Sequence, residues 1–172
     1  MLFYSGFSLK NDKVFFKDFL ESSEYAINGF SYGAIKATKK ALEMVKDNKR
    51  VDKLVLLSPA FFQTKPTKFK RLQLMGYKKD KRSYLREFLR LSFLPYSQKS
   101  LESTDSTYEE LEELLNYEWN EDELRFLKEK GVKIEVYLGG EDKIIDAQKA
   151  RDFFVNLSSL TYIKNGNHFL EH

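Results

Sequence analysis

Ser31 lies in Gly29-Phe30-Ser31-Tyr32-Gly33, a G-x-S-x-G run set between the apolar Tyr25-Ala26-Ile27 and a stretch of helical composition over residues 34–45. A strained strand-to-helix turn of this kind lifts a serine hydroxyl into the open, with glycine wherever a Cβ would strike neighbouring backbone. The hydroxyl is a poor nucleophile near neutral pH. It needs a base within hydrogen-bond reach and a carboxylate to orient that base. The chain has two histidines, His168 and His172, and no cysteine. His168 follows the turn-like Asn165-Gly166-Asn167 and is the expected base, while His172, at the end of the sequence, is expected to fray. Asp142 stands just after the strand-like residues 133–138 and Gly139-Gly140, where the carboxyl end of a parallel strand presents its reactive groups. It is preferred as the orienting acid over Asp146, which suits the cap of the next helix, and over the adjacent Glu141.

A tetrahedral oxyanion also needs donors. The backbone N–H of Tyr32 is one candidate. The turn Ser5-Gly6-Phe7-Ser8 offers the N–H of Phe7 as the other, with Gly6 allowing close approach, although Ser5-Gly6 also reads as an ordinary strand-ending turn. Metal chemistry is disfavoured, because two histidines near one end and no thiolate do not make a zinc site. No nucleotide-cradling glycine motif is present.

The elements that must position these residues alternate. Residues 2–4, 25–28, 54–57, 133–138 and 160–163 read as short buried strands, and residues 13–20, 34–45 and 146–155 as helices. That rhythm implies βαβ units and a parallel sheet covered on both faces. Residues 60–130 offer helices and no strand, and are expected to form an inserted helical cap on a single domain of residues 1–172. No apolar run approaches the length of a membrane span. The absence of cysteine and of a basic, cleavable start leads to the expectation of a cytoplasmic protein. Leu170-Glu171-His172 are given little weight, as residues an expression tag could have left.

Charge is segregated. Ten basic residues fall between positions 65 and 90, against only Asp80 and Glu87, while ten acids and no Lys or Arg fall between 102 and 123. Lys78, Arg82, Arg86 and Arg90 recur every four positions and are expected to line one helix face, with Leu85, Phe88 and Leu89 turned inward. A solvated face, or one paired with the acidic block, stands level with a docking surface for an acidic partner. Nucleic acid is disfavoured by the acidic block.

The order Ser31, Asp142, His168 is that of the α/β hydrolases. The whole chain resembles the BioV-type pimeloyl-acyl-carrier-protein methyl ester esterases. The resemblance rests on Phe3-Tyr4-Ser5-Gly6-Phe7, on Gly29-Phe30-Ser31 with Ala34-Ile35-Lys36-Ala37, on Phe69-Lys70-Arg71-Leu72-Gln73-Leu74 and on Lys130-Gly131-Val132-Lys133-Ile134-Glu135-Val136. It implies a compact α/β-hydrolase fold of about five parallel strands with a helical cap, and no cofactor. It also implies hydrolysis of the methyl ester of pimeloyl-acyl-carrier protein by Ser31, Asp142 and His168, with release of methanol. The acyl-carrier protein would dock on Arg82, Arg86 and Arg90, and Leu72, Leu74, Leu85 and Phe88 would line the acyl channel. Two departures stand out. Only 22 residues separate Gly6 from Gly29, so a central strand is expected to be missing, and Ser5 holds the place of the family's oxyanion-loop histidine. A different carboxylesterase or thioesterase, and a hydrolase-fold binding module without turnover, remain the alternatives.

Overall fold

A computed structural model describes residues 1–172. Five strands form one parallel sheet, β1 (Leu2–Tyr4), β3 (Ala26–Phe30), β4 (Lys53–Leu57), β6 (Lys133–Gly139) and β7 (Ser159–Ile163), and they lie side by side in sequence order. A two-residue ribbon pairs β2 (Leu9–Lys10) antiparallel with β5 (Glu102–Ser103). The sheet is contiguous: β1 pairs directly with β3, so the strand expected to be missing leaves no gap at its centre. The strand β5 corrects the expectation that residues 60–130 hold only helices.

Strand alternation divides the core in two. Ile27, Leu54, Leu56, Ile134, Val136 and Leu138 point to one face, where helices α1 (Tyr32–Lys46), α5 (Glu121–Glu129) and α6 (Ala147–Phe154) cover them. Ala34, Ile35, Ala37, Thr38, Ala41 and Leu42 give α1 the three-and-four spacing that buries one stripe. Phe30, Val55 and Leu57 point to the other face and meet Phe16, Phe93 and Phe169. No long helix covers that side. Residues 13–20, expected to be helical, contribute only to a short 3-10 turn, Asp12–Phe16; the turn lays Phe16 on Phe30 at 4.6 Å, and Phe19 just beyond it meets Tyr137 at 5.1 Å between ring centroids. The strands advance in one direction while this connection crosses the face opposite α1, α5 and α6. The β1–β3 crossover is therefore of opposite hand to the three that follow, an uncommon arrangement for parallel strands.

Between β4 and β6 the chain builds α2 (Thr67–Lys79), α3 (Lys81–Phe93) and α4 (Tyr108–Asn116) before α5. α2 packs on α3 and α4, while α5 packs on α1 and β6. Asp80 ends α2 and caps α3 by accepting the N–H of Ser83 at 3.0 Å. Lys78 therefore lies on a different helix from Arg82, Arg86 and Arg90, which breaks the expected single stripe. The acidic block pairs mainly with α1 rather than with the basic block: Glu110 takes Lys36 at 3.3 Å and Glu113 takes Lys39. Within the basic stretch only Lys81, with Asp105, and Arg90, with Glu87, make ion pairs. Near the end of the sequence, Leu170 and Glu171 pack against the molecule. Leu170 is 2% exposed, and Glu171 donates its N–H to Asn167 Oδ1 at 3.0 Å, while His172 is exposed.

Candidate active site

β3 runs straight into α1, and Ser31 at the junction has φ 53° and ψ −115°, strained for a residue with a side chain. The turn is held by Ser31 N–H donating to Leu57 O at 2.9 Å and by Ala60 N–H donating to Ser31 O at 3.1 Å. Close packing explains the glycines. A Cβ on Gly33 would come within 2.0 Å of Tyr4 O, and one on Gly29 within 2.3 Å of Gly33 O. Gly33 thus lets the end of β1 lie against the first turn of α1.

His168 is brought over the sheet edge by the loop after β7. Asn167, wholly buried, donates from Nδ2 to Phe93 O at 2.9 Å, and Phe30 packs on the imidazole at 5.0 Å. A Cβ on Gly139 would come within 2.2 Å of Asn167 O, so only glycine lets the end of β6 approach this loop. The acid follows from that approach. Asp142 Oδ1 accepts the N–H groups of Ile144 and Ile145 at 2.7 and 3.1 Å, which leaves Oδ2 for His168 Nδ1 at 2.6 Å. An ionised carboxylate only accepts, so Nδ1 carries the proton. Nε2 is then free to accept from the Ser31 hydroxyl, 2.9 Å away.

The structure therefore joins Ser31, His168 and Asp142 in one hydrogen-bonded line, with exposures of 2, 1 and 9%. The competing carboxylates are elsewhere: Asp146 caps α6 through Lys149 N–H at 3.1 Å, and Glu141 pairs with Lys143 at the surface. His172 touches only Leu170 O. The backbone N–H groups of Phe7 and Tyr32 take no partner within the protein, and the two rings meet edge to face at 6.2 Å.

A cavity of about 110 Å³ lies among the helices that follow β4. Ile144, which holds Asp142, and Phe88, whose ring meets Phe7 at 6.1 Å, both border it, together with Phe62, Phe69, Leu111 and Leu115. Leu72, expected in the acyl channel, is 55% exposed on the outer side of α2, while Leu74 and Leu85 pack against the core without bordering the cavity. The cap is latched to the nucleophile's own helix. Tyr32 donates its hydroxyl to Glu113 on α4, and burial, with Glu113 beside it, pushes the phenol far above its usual range. Burial alone would raise Glu113, but the Lys39 ammonium and the Tyr32 hydroxyl hold it below the usual value. Sequence reasoning missed Glu113, Asn167 and Asp12. For Asp12 a signal was present, an acid next to the apolar Val14-Phe15-Phe16 in the segment that leaves the oxyanion turn.

No family model matches the chain, and no curated protein matches it. Among solved structures it is similar to the naproxen esterase (carboxylesterase NP) of Bacillus subtilis, with 20% identity over 84% of this chain and 53% of that one and a TM-score of 0.54. It is similar to the esterase EaEST of Exiguobacterium antarcticum, with 17% identity, 82% and 58% coverage and a TM-score of 0.59. It is also similar to BioG of Haemophilus influenzae, with 10% identity, 98% and 88% coverage and a TM-score of 0.58. The chain spans little more than half of the two esterases and most of BioG. With its parallel sheet and these neighbours, the chain has the α/β-hydrolase fold. No helix is long and apolar enough to cross a membrane.

Proposed function

We propose that this chain is a serine carboxylesterase that hydrolyses the methyl ester of pimeloyl-acyl-carrier protein, freeing the ω-carboxylate and methanol. The observation that carries the esterase reading is the hydrogen-bonded line from Ser31 Oγ through His168 to Asp142 Oδ2. His168 Nε2 takes the serine proton as Ser31 Oγ attacks the ester carbonyl. The oxyanion forms against the N–H groups of Tyr32 and Phe7. His168 then protonates the departing methoxide and activates the water that releases the acyl group from Ser31. Asp142 holds the imidazole tautomer throughout. The scheme asks for no cofactor.

The finer reading rests on the segments that resemble the BioV-type esterases and on the outer face of the cap. Lys68, Arg71, Leu72, Met75 and Lys79 form one exposed stripe on α2, and none of the three cations has a carboxylate partner. Arg82 on α3 is likewise exposed and unpaired. Such a face suits an acidic carrier. Thioesters are intrinsically easier to cleave than esters, so positioning has to spare the carrier's own linkage. The test has two readouts. A fluorophosphonate should label wild type and not Ser31→Ala. Mass analysis of the carrier-bound substrate should show loss of the methyl group with the acyl chain still attached. Loss of the whole acyl chain would make the protein a thioesterase, and labelling without turnover of any ester would refute the proposed reaction.

A further inference from the structure

Asp12 is wholly buried, and no cation pairs with it. Its Oδ2 accepts the N–H of Gly6 at 2.8 Å, and its Oδ1 makes no hydrogen bond. A carboxylate held in the interior by dipoles alone is costly to the fold, and an apolar side chain of the same volume is commonly as stable or more so. Burial accordingly raises the pKa of Asp12, against the favourable Ser5 hydroxyl and the nearby N–H groups of Gly6, Asp12 and Lys13.

What the carboxylate holds is the turn that carries the second oxyanion donor. Gly6 joins two peptide planes and is the residue least able to fix either by itself. The plane behind it is tied by Asp12 through the Gly6 N–H. The plane ahead contains Gly6 O and Phe7 N–H, and Leu9 N–H donates to that carbonyl at 3.2 Å. With both planes fixed, the Phe7 N–H is left as the free donor of the turn. The packing of Gly33 against Tyr4 O and of the Phe7 ring against Tyr32 brings this turn against the nucleophile's helix.

We propose that Asp12 is a positioning residue of the oxyanion hole, its Oδ2 holding the Ser5–Gly6–Phe7 turn so that the Phe7 N–H meets the charge developing on the substrate. This rests on the serine-esterase reading above. The role predicts a defect in kcat, because an oxyanion donor acts in the transition state.

The test compares Asp12→Leu, which keeps the branched outline and loses the acceptor, with Asp12→Asn, which keeps an acceptor oxygen. Rates on a p-nitrophenyl ester are expressed per active site titrated with a fluorophosphonate, and the affinity of an alkylboronic acid is measured beside them. Asp12→Leu should lower kcat about 10²-fold, the cost of one oxyanion donor, with KM within about threefold. Its boronate affinity should fall in parallel. Asp12→Asn should recover at least about tenfold of that rate. A titrated Leu variant with wild-type kcat, or an Asn variant as slow as the Leu one, overturns the proposal. Asp12→Ala replaces Leu if the Leu variant does not fold. A wild type that neither labels nor turns over would fail the esterase reading instead, a result separate from these.

Discussion

Replacing Asp142 with Asn tests the site most sharply, because the structure dictates how the amide must lie. Oδ1 of Asp142 accepts two N–H groups, from Ile144 and Ile145 at 2.7 and 3.1 Å. An Asn that turned its NH2 to that side would set donor against two donors, so its carbonyl must take the Oδ1 place. The NH2 then faces His168 Nδ1, which stands 2.6 Å from Oδ2 in the native arrangement. To accept that hydrogen, Nδ1 must give up its own proton, and the neutral imidazole carries it on Nε2 instead. Nε2–H now points at Ser31 Oγ, 2.9 Å away, and cannot take the serine proton. The same tautomer error in a serine protease costs about 10⁴ in kcat, roughly 5 kcal/mol of barrier. A loss of that order is expected in kcat per titrated site on a short methyl or p-nitrophenyl ester, with the thermal midpoint close to wild type. Asp146→Asn is the control: it should leave kcat within about twofold and, as Asn also caps helices well, change stability by less than about 1 kcal/mol. An Asp142→Asn enzyme within tenfold of wild type, or an equal loss for Asp146→Asn, would refute the tautomer argument.

Glu113→Gln should loosen α4 from α1. Glu113 has its folded pKa below the unfolded value near 4.5, so its ion pair stabilises the protein above that pH and is lost as pH falls through the folded pKa. Thermal midpoints of variant and wild type should therefore differ near neutrality and converge as pH falls through the lowered folded pKa, and the gap should shrink with salt, since the side chain is 39% exposed. Reversing Arg82, Arg86 and Arg90 to Glu should raise KM for the carrier-bound ester and leave a small methyl ester almost unaffected. Reversing Lys68, Arg71 and Lys79 on α2 should do so more strongly, because Arg90 is already held by Glu87. Steady-state kinetics on both substrates decide, and equal losses on the two would mean a damaged cap.

The strands and α1 were legible because their signals are local. Ala26–Phe30, Lys53–Leu57 and Lys133–Gly139 are runs of apolar residues closed by small or turn-forming ones, and α1 follows from its spacing. The convergence of Ser31, His168 and Asp142 was legible for a different reason: with two histidines and no cysteine, few combinations could do the chemistry, and placement at the ends of strands separated them. What stayed hidden depends on partners far along the chain. Nothing in Lys78-Lys79-Asp80-Lys81-Arg82 shows that Asp80 would turn its carboxylate on Ser83 and split one apparent helix into two. The pairing of Glu102–Ser103 with Leu9–Lys10 spans more than ninety residues and rests on two residues a side, too few for a periodic signal. Residues 13–20 suggested a helix, yet the sheet face is met by a short 3-10 turn and the residues after it, which drop Phe15, Phe16 and Phe19 where a helix would otherwise be needed.

The closed site bears on selectivity. Ser31 and His168 expose almost nothing, and the cavity of about 110 Å³ among the cap helices is bordered by neither of them. A chain tethered to a carrier protein reaches Ser31 only if part of the cap gives way, and the two halves of the cap are held differently. α4 is bound to α1 through Tyr32 with Glu113 and through Lys36 and Lys39 with Glu110 and Glu113. α2 and α3 make no ion pair to α1: Tyr77 and Phe88 meet Phe7 at 6.0 and 6.1 Å, Tyr77 donates its hydroxyl to Ser106 O at 2.6 Å, and Phe93 O accepts from Asn167 at 2.9 Å. α2 and α3 are also the helices whose outer surface carries the unpaired cations. On the proposed function, a carrier bound there would hold its thioester outside while the far ester reached Ser31. The thioester would be spared by distance, with no need for the triad to tell the two bonds apart.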